Sequence, residues 1–317
     1  MALYHGDHAT LDDLWIWFSL AAALCQAVRT AAQKRLNERL STLATTYARA
    51  ALGLPVLAVY LLAVLLWVDP RVPDFSPAFL FAASCGAAVQ VASTSLLIEL
   101  FRKRGFAVAS MLVKVDIVLI ALIGSVFFSE HITPLGFAAL LIVLIGVVLL
   151  SAGRDGLASL RDQFSVGRAA LSASGLWLAL TCALFYALSF LFMREATLTV
   201  GEGSFLWRGA WAVIVTVTMQ AVLLGLWLIW REPGFLRSFW NNRGGVAIVG
   251  ATSAAGSMAW FSAFALQNAS YVRAVAQVEV IFTLLISALY FKERLTRLEV
   301  IGTIITLAGV LLFRLAD

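Results

Sequence analysis

The sequence predicts an all-α membrane protein of ten transmembrane helices, arranged as two inverted five-helix repeats. Three observations carry this expectation. The 317-residue chain is 62% hydrophobic and 13% charged, with a mean hydropathy of +0.92, whereas soluble domains are nearer half apolar and a quarter charged. The apolar residues fall into runs of membrane length, ~20 residues each. Two runs match each other, without a gap, at a separation of 163 residues: KVDIVLIALIGSVFFSEHIT (Lys114–Thr133) and QVEVIFTLLISALYFKERLT (Gln277–Thr296). Asp116 aligns with Glu279, Glu130 with Glu293, Thr133 with Thr296 and, further on, Gly146 with Gly309. A repeat this long marks a duplicated membrane unit.

The ten spans run in order. Span 1 (14–33) follows an acidic tail, Asp7, Asp12 and Asp13, with no basic region before it, so it does not read as a cleavable signal. Span 2 (43–68) carries Arg49 near its start, and Pro55 is tolerated in a membrane helix. Span 3 (76–100) is rich in small residues, AASCGAAVQVASTS, and ends at Glu99 before Arg102, Lys103 and Arg104. Span 4 (105–128) holds Lys114 and Asp116, and span 5 (133–152) is uncharged from Leu135 to Ala152. A polar linker, 153–171, leads to span 6 (172–193). Span 7 (204–230) has Arg208 near its start and no charge from Ala210 to Trp230. Span 8 (244–267) repeats the small-residue pattern in GATSAAGS. It is separated from span 9 (271–291) near Asn268–Ser270, where Gln-Asn-Ala-Ser is the turn-like break. Span 10 (297–314) completes the second unit.

The two units are therefore 1–152 and 172–317. Their earlier parts align more faintly, Arg35 with Arg194 and Arg49 with Arg208, at an offset of 159. Five spans per unit is an odd number, so the second unit crosses the membrane in the opposite sense. In such plans the substrate site lies near the midplane, at the interface of the repeats.

Each unit ends in a short acidic connector and a Gly-rich apolar helix. The stretches are SVFFSEHITPLGFAALLIVLIGVVLLS (Ser125–Ser151) and ALYFKERLTRLEVIGTIITLAGVLLF (Ala288–Phe313). Together with Lys34, Arg35 and Arg49 in the first two spans, they make the chain resemble the drug/metabolite transporter superfamily, EamA type. The resemblance covers nearly the whole chain. It implies movement of a small metabolite across the cytoplasmic (inner) membrane by alternating access, proton-coupled or driven by exchange. It carries no substrate.

Charges inside spans cost roughly 2.5–3.5 kcal/mol each on insertion scales, so they mark functional sites by default. Asp116 and Glu279 are the sharpest candidates, for accepting a proton or binding a cationic group, against a structural ion pair with Lys114, Arg273 or another helix. On continuous helices, residues two apart face opposite sides. Lys114 would then face away from Asp116, while Glu279, Thr283 and Ser287 would share a stripe separate from Arg273 and Gln277. Arg49 and Arg208 either snorkel to the interface or place cations at the mouths of a cavity. Gln90 is a candidate for a substrate hydrogen bond. Trp260, in mid-span, either stacks on a substrate or packs between helices. Trp15, Trp17, Trp67, Trp177, Trp207, Trp227, Trp230 and Trp240 lie near span ends, where an aromatic belt is expected.

Other chemistry has little support. The three histidines, His5, His8 and His131, lie in the tail and a loop, and no HExxH or nucleophile motif is present. Cys25, Cys85 and Cys182 read as small buried hydrophobes. The expectation is no catalytic residue, no metal and no cofactor, with a membrane-embedded enzyme or a structural membrane protein as the alternative. The net charge of +5 does not imply nucleic acid, because the basic residues fall in connections between spans. The expected partners are a small-molecule substrate, the lipid bilayer and protons. Connections 1–2, 3–4, 5–6, 7–8 and 9–10 hold three Lys or Arg each, counting Arg297 at the edge of span 10 with the last, and the others at most one. The positive-inside rule then puts both termini outside the cytoplasm, although the resemblance implies termini inside.

Overall fold

The computed structural model describes residues 13–36, 39–104, 113–150, 173–232, 234–290 and 296–316. The described residues form helices and connections, with no strand among them. In chain order the helices are α1 (Leu14–Leu36), α2 (Thr42–Ala51), α3 (Leu54–Trp67), α4 (Pro77–Arg104) and α5 (Asp116–Phe127). Next come α6 (Pro134–Leu150), α7 (Ala173–Thr199), α8 (Phe205–Arg231), α9 (Phe235–Asn241) and α10 (Arg243–Leu266). The chain ends with α11 (Ala269–Val275), a 3₁₀ turn (Ala276–Val278), α12 (Glu279–Tyr290) and α13 (Arg297–Ala316). Among the described residues, six helical segments are long and apolar enough to cross a membrane; α5 and α6 are shorter apolar helices. Lipid-length helices satisfy every internal backbone group within themselves, which is why an apolar chain adopts them.

The packing is reciprocal between the units. The most extensive contacts join α1 to α10 and α4 to α7, so the first helix of each unit lies on the third of the other. The contacts of α5 with α7 recur as those of α12 with α1, and those of α8 with α4 recur as those of α10 with α2 and α3. α6 and α13 approach closely. A Cβ on Gly146 would lie 2.5 Å from the Thr306 nitrogen, and one on Gly309 would lie 2.9 Å from the Val143 nitrogen. Thr306 is Val143 shifted by the 163-residue repeat, and Gly309 is Gly146 shifted likewise. The contact therefore repeats itself with the units exchanged, as two-fold contacts do. Small residues at these crossings let the backbones approach closely.

The repeated threonines have a local reason. The Gly136 N–H donates to Thr133 Oγ1 at 3.0 Å, which caps the start of α6. Thr296 does the same for α13. Its Oγ1 accepts from the Glu299 N–H at 3.3 Å, and Glu299 Oε2 accepts from the Thr296 N–H at 2.6 Å, a reciprocal capping box.

Four expectations are corrected. Span 2 itself stands at Leu43–Trp67, and what changes is that a turn at Leu52–Gly53 divides it into two helices, with Pro55 in the first turn of α3. Residues 271–291 do not form one helix, because the 3₁₀ turn interrupts them. Trp15 and Trp207 do not belong to an aromatic belt. Trp15 is buried and tilts against Tyr271. Trp207 is buried and donates its indole N–H to the Arg71 carbonyl at 2.8 Å. Trp17, Trp67, Trp177, Trp230 and Trp240 are exposed, as a belt requires. Finally, the connection between spans 7 and 8 is not a plain loop, because α9 lies in it, burying Phe235 and Phe239 around Tyr47 and exposing Leu236 and Trp240. The expected break between spans 8 and 9 is present at Gln267–Asn268. The side chains of Lys34, Arg35, Thr283 and Ser287, all of Glu293, and the linker 153–171 lie outside the described residues.

Candidate functional site

The repeated motif falls on helix breaks in both units. Lys114 and Val115 form a turn, and α5 starts at Asp116. Gln277 lies in the 3₁₀ turn, and α12 starts at Glu279. Each carboxylate thus occupies the first turn of a half-helix, where a negative charge offsets the positive end of the helix dipole. α11, which leads into the second break, packs on α5, which starts at the first.

Asp116 is fully buried and paired. Arg273 Nε and Nη2 both donate to its Oδ2 at 3.2 Å. The guanidinium lies 4.8 Å from the centre of the Phe190 ring and 5.9 Å from that of Trp260. Trp260 itself packs on Phe190 and Phe264, at 5.5 and 5.6 Å between centroids. Two aromatic faces and one carboxylate thus hold Arg273, and each face attracts the cation. Asp116 Oδ1 has no hydrogen-bond partner among the described residues.

Glu279 has different company. It acts electrostatically on Arg29 from α1 and on Lys114 from the other break. Arg29 also feels Arg49, at the end of α2, and Tyr186, in the middle of α7. Arg29 Nη2 donates to Gln26 Oε1, while its buried Nε has no partner among the described residues. Lys114 feels Arg273 and Asp116 as well as Glu279. Placing Lys114 and Asp116 on opposite faces presupposed a continuous helix; the turn at Lys114–Val115 brings both into one field. Gln277 is fully buried, and neither of its amide atoms has a partner among the described residues.

Other candidate residues are placed elsewhere. Gln90 is buried between α4 and α7, where its Oε1 accepts from Ser189 Oγ at 2.8 Å. Arg208 Nη2 donates to the Ala265 carbonyl at 3.0 Å, which secures the last turn of α10. Glu130 works at the connection before α11. Its Oε1 accepts from the Ala269 N–H at 2.7 Å, and its Oε2 accepts from Ser270 Oγ at 3.0 Å. Arg194 Nε lies 3.6 Å from Glu130 Oε1 and donates to the Gln267 carbonyl at 3.0 Å. A connector of the first unit therefore fixes the start of the broken helix in the second. Sequence reasoning placed Glu130 in the repeat but not in this cap; its spacing from Thr133 was the visible signal.

No group of His, Cys, Asp and Glu that could hold a metal occurs among the described residues. A cleft of about 660 Å³ opens elsewhere, between α4, the end of α5 and α7. Phe81 and Phe127, two of its lining residues, are exposed on the apolar outer surface, so the cleft reads as a lipid-facing groove. Outside the spans, hydrogen bonding to Arg71 holds the Asp69 carboxyl below the usual carboxylate range.

Helices of membrane length in a reciprocal pair of units, with charges gathered at broken helices, define an integral, multi-pass membrane protein of the transporter type. Residues 13–152 and 173–315 each match the EamA-like transporter family, and the chain belongs to that family, within the drug/metabolite transporter superfamily. Twenty-eight chains of solved structure are similar. One crystal structure superposes with a TM-score of 0.67 at 14% identity, over 96% of this chain and 98% of that one, a likeness of fold. No curated protein matches the sequence. The family suggests a non-enzymatic transporter of small molecules.

Proposed function

We propose that the chain is a secondary transporter that moves a small metabolite across the cytoplasmic membrane by alternating access around the two helix breaks. The observation that carries this reading is the pair of breaks at equivalent positions, Lys114–Asp116 and Gln277–Glu279, linked across the units by the Arg273–Asp116 pair. Charged and amide side chains gathered where a membrane helix is interrupted are the arrangement by which transporters of inverted-repeat plan build their sites. The units 1–152 and 172–317, joined by 153–171, are inverted relative to each other, and both termini face away from the cytoplasm. Glu279 is the coupling group, working by proton exchange or through the charge of the substrate. Arg273 and Asp116 form a fixed pair that anchors one break.

Reconstitution into liposomes tests this reading. Vesicles loaded with a metabolite mixture should exchange internal for labelled external solute, and Glu279→Gln should abolish gradient-driven uptake while the protein still inserts. Undiminished proton-dependent uptake by Glu279→Gln would remove the coupling role. No exchange of any solute would remove the transport reading.

A further inference from the structure

The cluster at the breaks has an uneven charge. Arg29, Arg49, Lys114 and Arg273 contribute four cations, and the carboxylates acting on them, among the described residues, are Asp116 and Glu279. The surplus is two positive charges. Asp116 is already committed to Arg273 at 3.2 Å. Glu279 alone faces Arg29 and Lys114, with Arg49 adjoining. A cationic substrate would meet no free carboxylate here and would be repelled by the surplus.

We propose that the solute bound at the breaks is a small dianion, a dicarboxylate or a phosphorylated metabolite. Arg29, Arg49 and Lys114 are the groups that recognise it. This rests on reading the breaks as the transport site.

The hydrogen-bonding capacity agrees with the charge. Among the described residues, the buried Arg29 Nε has no hydrogen-bond partner and neither amide atom of the fully buried Gln277 has one. An oxyanion accepts from guanidinium and amide N–H groups together, and a guanidinium fork matches the geometry of carboxylate and phosphate. Arg273 is the wrong cation for this task, since Asp116, Phe190 and Trp260 already enclose it. The half-helix N-termini are not the anion's holders either, because Asp116 and Glu279 sit on them. Recognition therefore falls to side chains that converge from α1, α2 and the first break. That arrangement makes binding sensitive to how the two units sit relative to each other, as alternating access requires. The anion also supplies the coupling: it neutralises the surplus and frees Glu279 from holding Arg29 and Lys114 alone.

The test uses the purified full-length chain in detergent and follows its thermal unfolding with succinate, inorganic phosphate or putrescine at fixed ionic strength. Succinate or phosphate is expected to raise the Tm saturably, and putrescine is not. Response to succinate alone names the dicarboxylate class; response to phosphate names the phosphorylated class. Arg29→Gln and Arg49→Gln should each weaken anion binding roughly tenfold or more, the loss of one charge-assisted contact. Arg29→Lys should recover part of it. Stabilisation by putrescine alone, by neither anion, or to the same degree in the Gln variants would overturn the proposal. Counterflow in proteoliposomes separates the two readings. An anion that binds but is not exchanged leaves the anion site and removes the transport role; exchange of putrescine keeps the transport role and removes the anion site.

Discussion

Removing both partners of the Asp116–Arg273 pair should cost well short of the sum of removing each alone. The pair is nearly inaccessible: Asp116 is 0% exposed and Arg273 7%. Breaking a buried pair from one side leaves an uncompensated charge and typically costs about 3–5 kcal/mol. For Asp116→Asn the charge left behind is the Arg273 guanidinium, still 4.8 Å from Phe190 and 5.9 Å from Trp260. Those two rings retain roughly 0.5–2 kcal/mol of cation–π attraction each, so Asp116→Asn should fall near the lower end, about 3 kcal/mol. Arg273→Gln loses the rings' attraction as well and strands Asp116, whose Oδ1 has no hydrogen-bond partner among the described residues. It should cost about 5 kcal/mol. The double variant strands no charge, so its cost should fall short of the sum by roughly 3 kcal/mol, the upper end of the range for groups sharing a network. The assay is denaturant unfolding in mixed micelles with intrinsic tryptophan fluorescence as the signal. Additive costs, or single variants within about 0.5 kcal/mol of the parent, would refute the buried-pair account.

Three further expectations follow from the geometry. Gly146→Ala and Gly309→Ala should each destabilise by about 1–3 kcal/mol, because the new Cβ meets the backbone nitrogens of Thr306 and Val143 as well as their side chains, and the backbone cannot step aside as a side chain can; thermal melts of both variants check the reciprocity of the contact. Glu130→Ala should cost about 3–5 kcal/mol, since it strands Arg194 and uncaps α11, whereas Glu130→Gln should cost less; the same melts decide. The Asp69 carboxyl has its pKa lowered by Arg71, so its contribution to stability is present above the unfolded value of about 3.9 and is lost as pH falls through the folded value. Asp69→Asn should therefore narrow its Tm gap to the parent as pH drops below about 4.

The architecture was visible in the sequence because it rests on composition and repetition. Runs of ~20 apolar residues announce spans, and the 163-residue match announces the duplication. The Gln-Asn-Ala-Ser turn announced the boundary before α11. The helix breaks at Lys114–Val115 and Ala276–Val278 were not visible. Neither contains Gly or Pro, and both keep an apolar composition, so periodicity alone treats the segments as continuous helices. That assumption put Lys114 and Asp116 on opposite faces. Arg273 was readable only as one option among several partners for Asp116, since sequence does not show which helices face each other. Arg49 and Arg208 look equivalent in the alignment, yet Arg49 joins the charge cluster and Arg208 binds the Ala265 carbonyl. Tyr186 and Phe190 drew no notice because a lone aromatic in mid-span is unremarkable until its neighbours are known.

Alternating access requires that the two breaks line one site reached in turn from both sides of the membrane. A single cysteine at Gln277, in a chain whose Cys25, Cys85 and Cys182 are replaced by Ala, tests it most directly. A membrane-impermeant thiol reagent would be applied to right-side-out and to inside-out vesicles. Labelling is expected from both sides, and should slow in the presence of a transported solute. Labelling from one side only, or from neither, with no response to any solute, would contradict it.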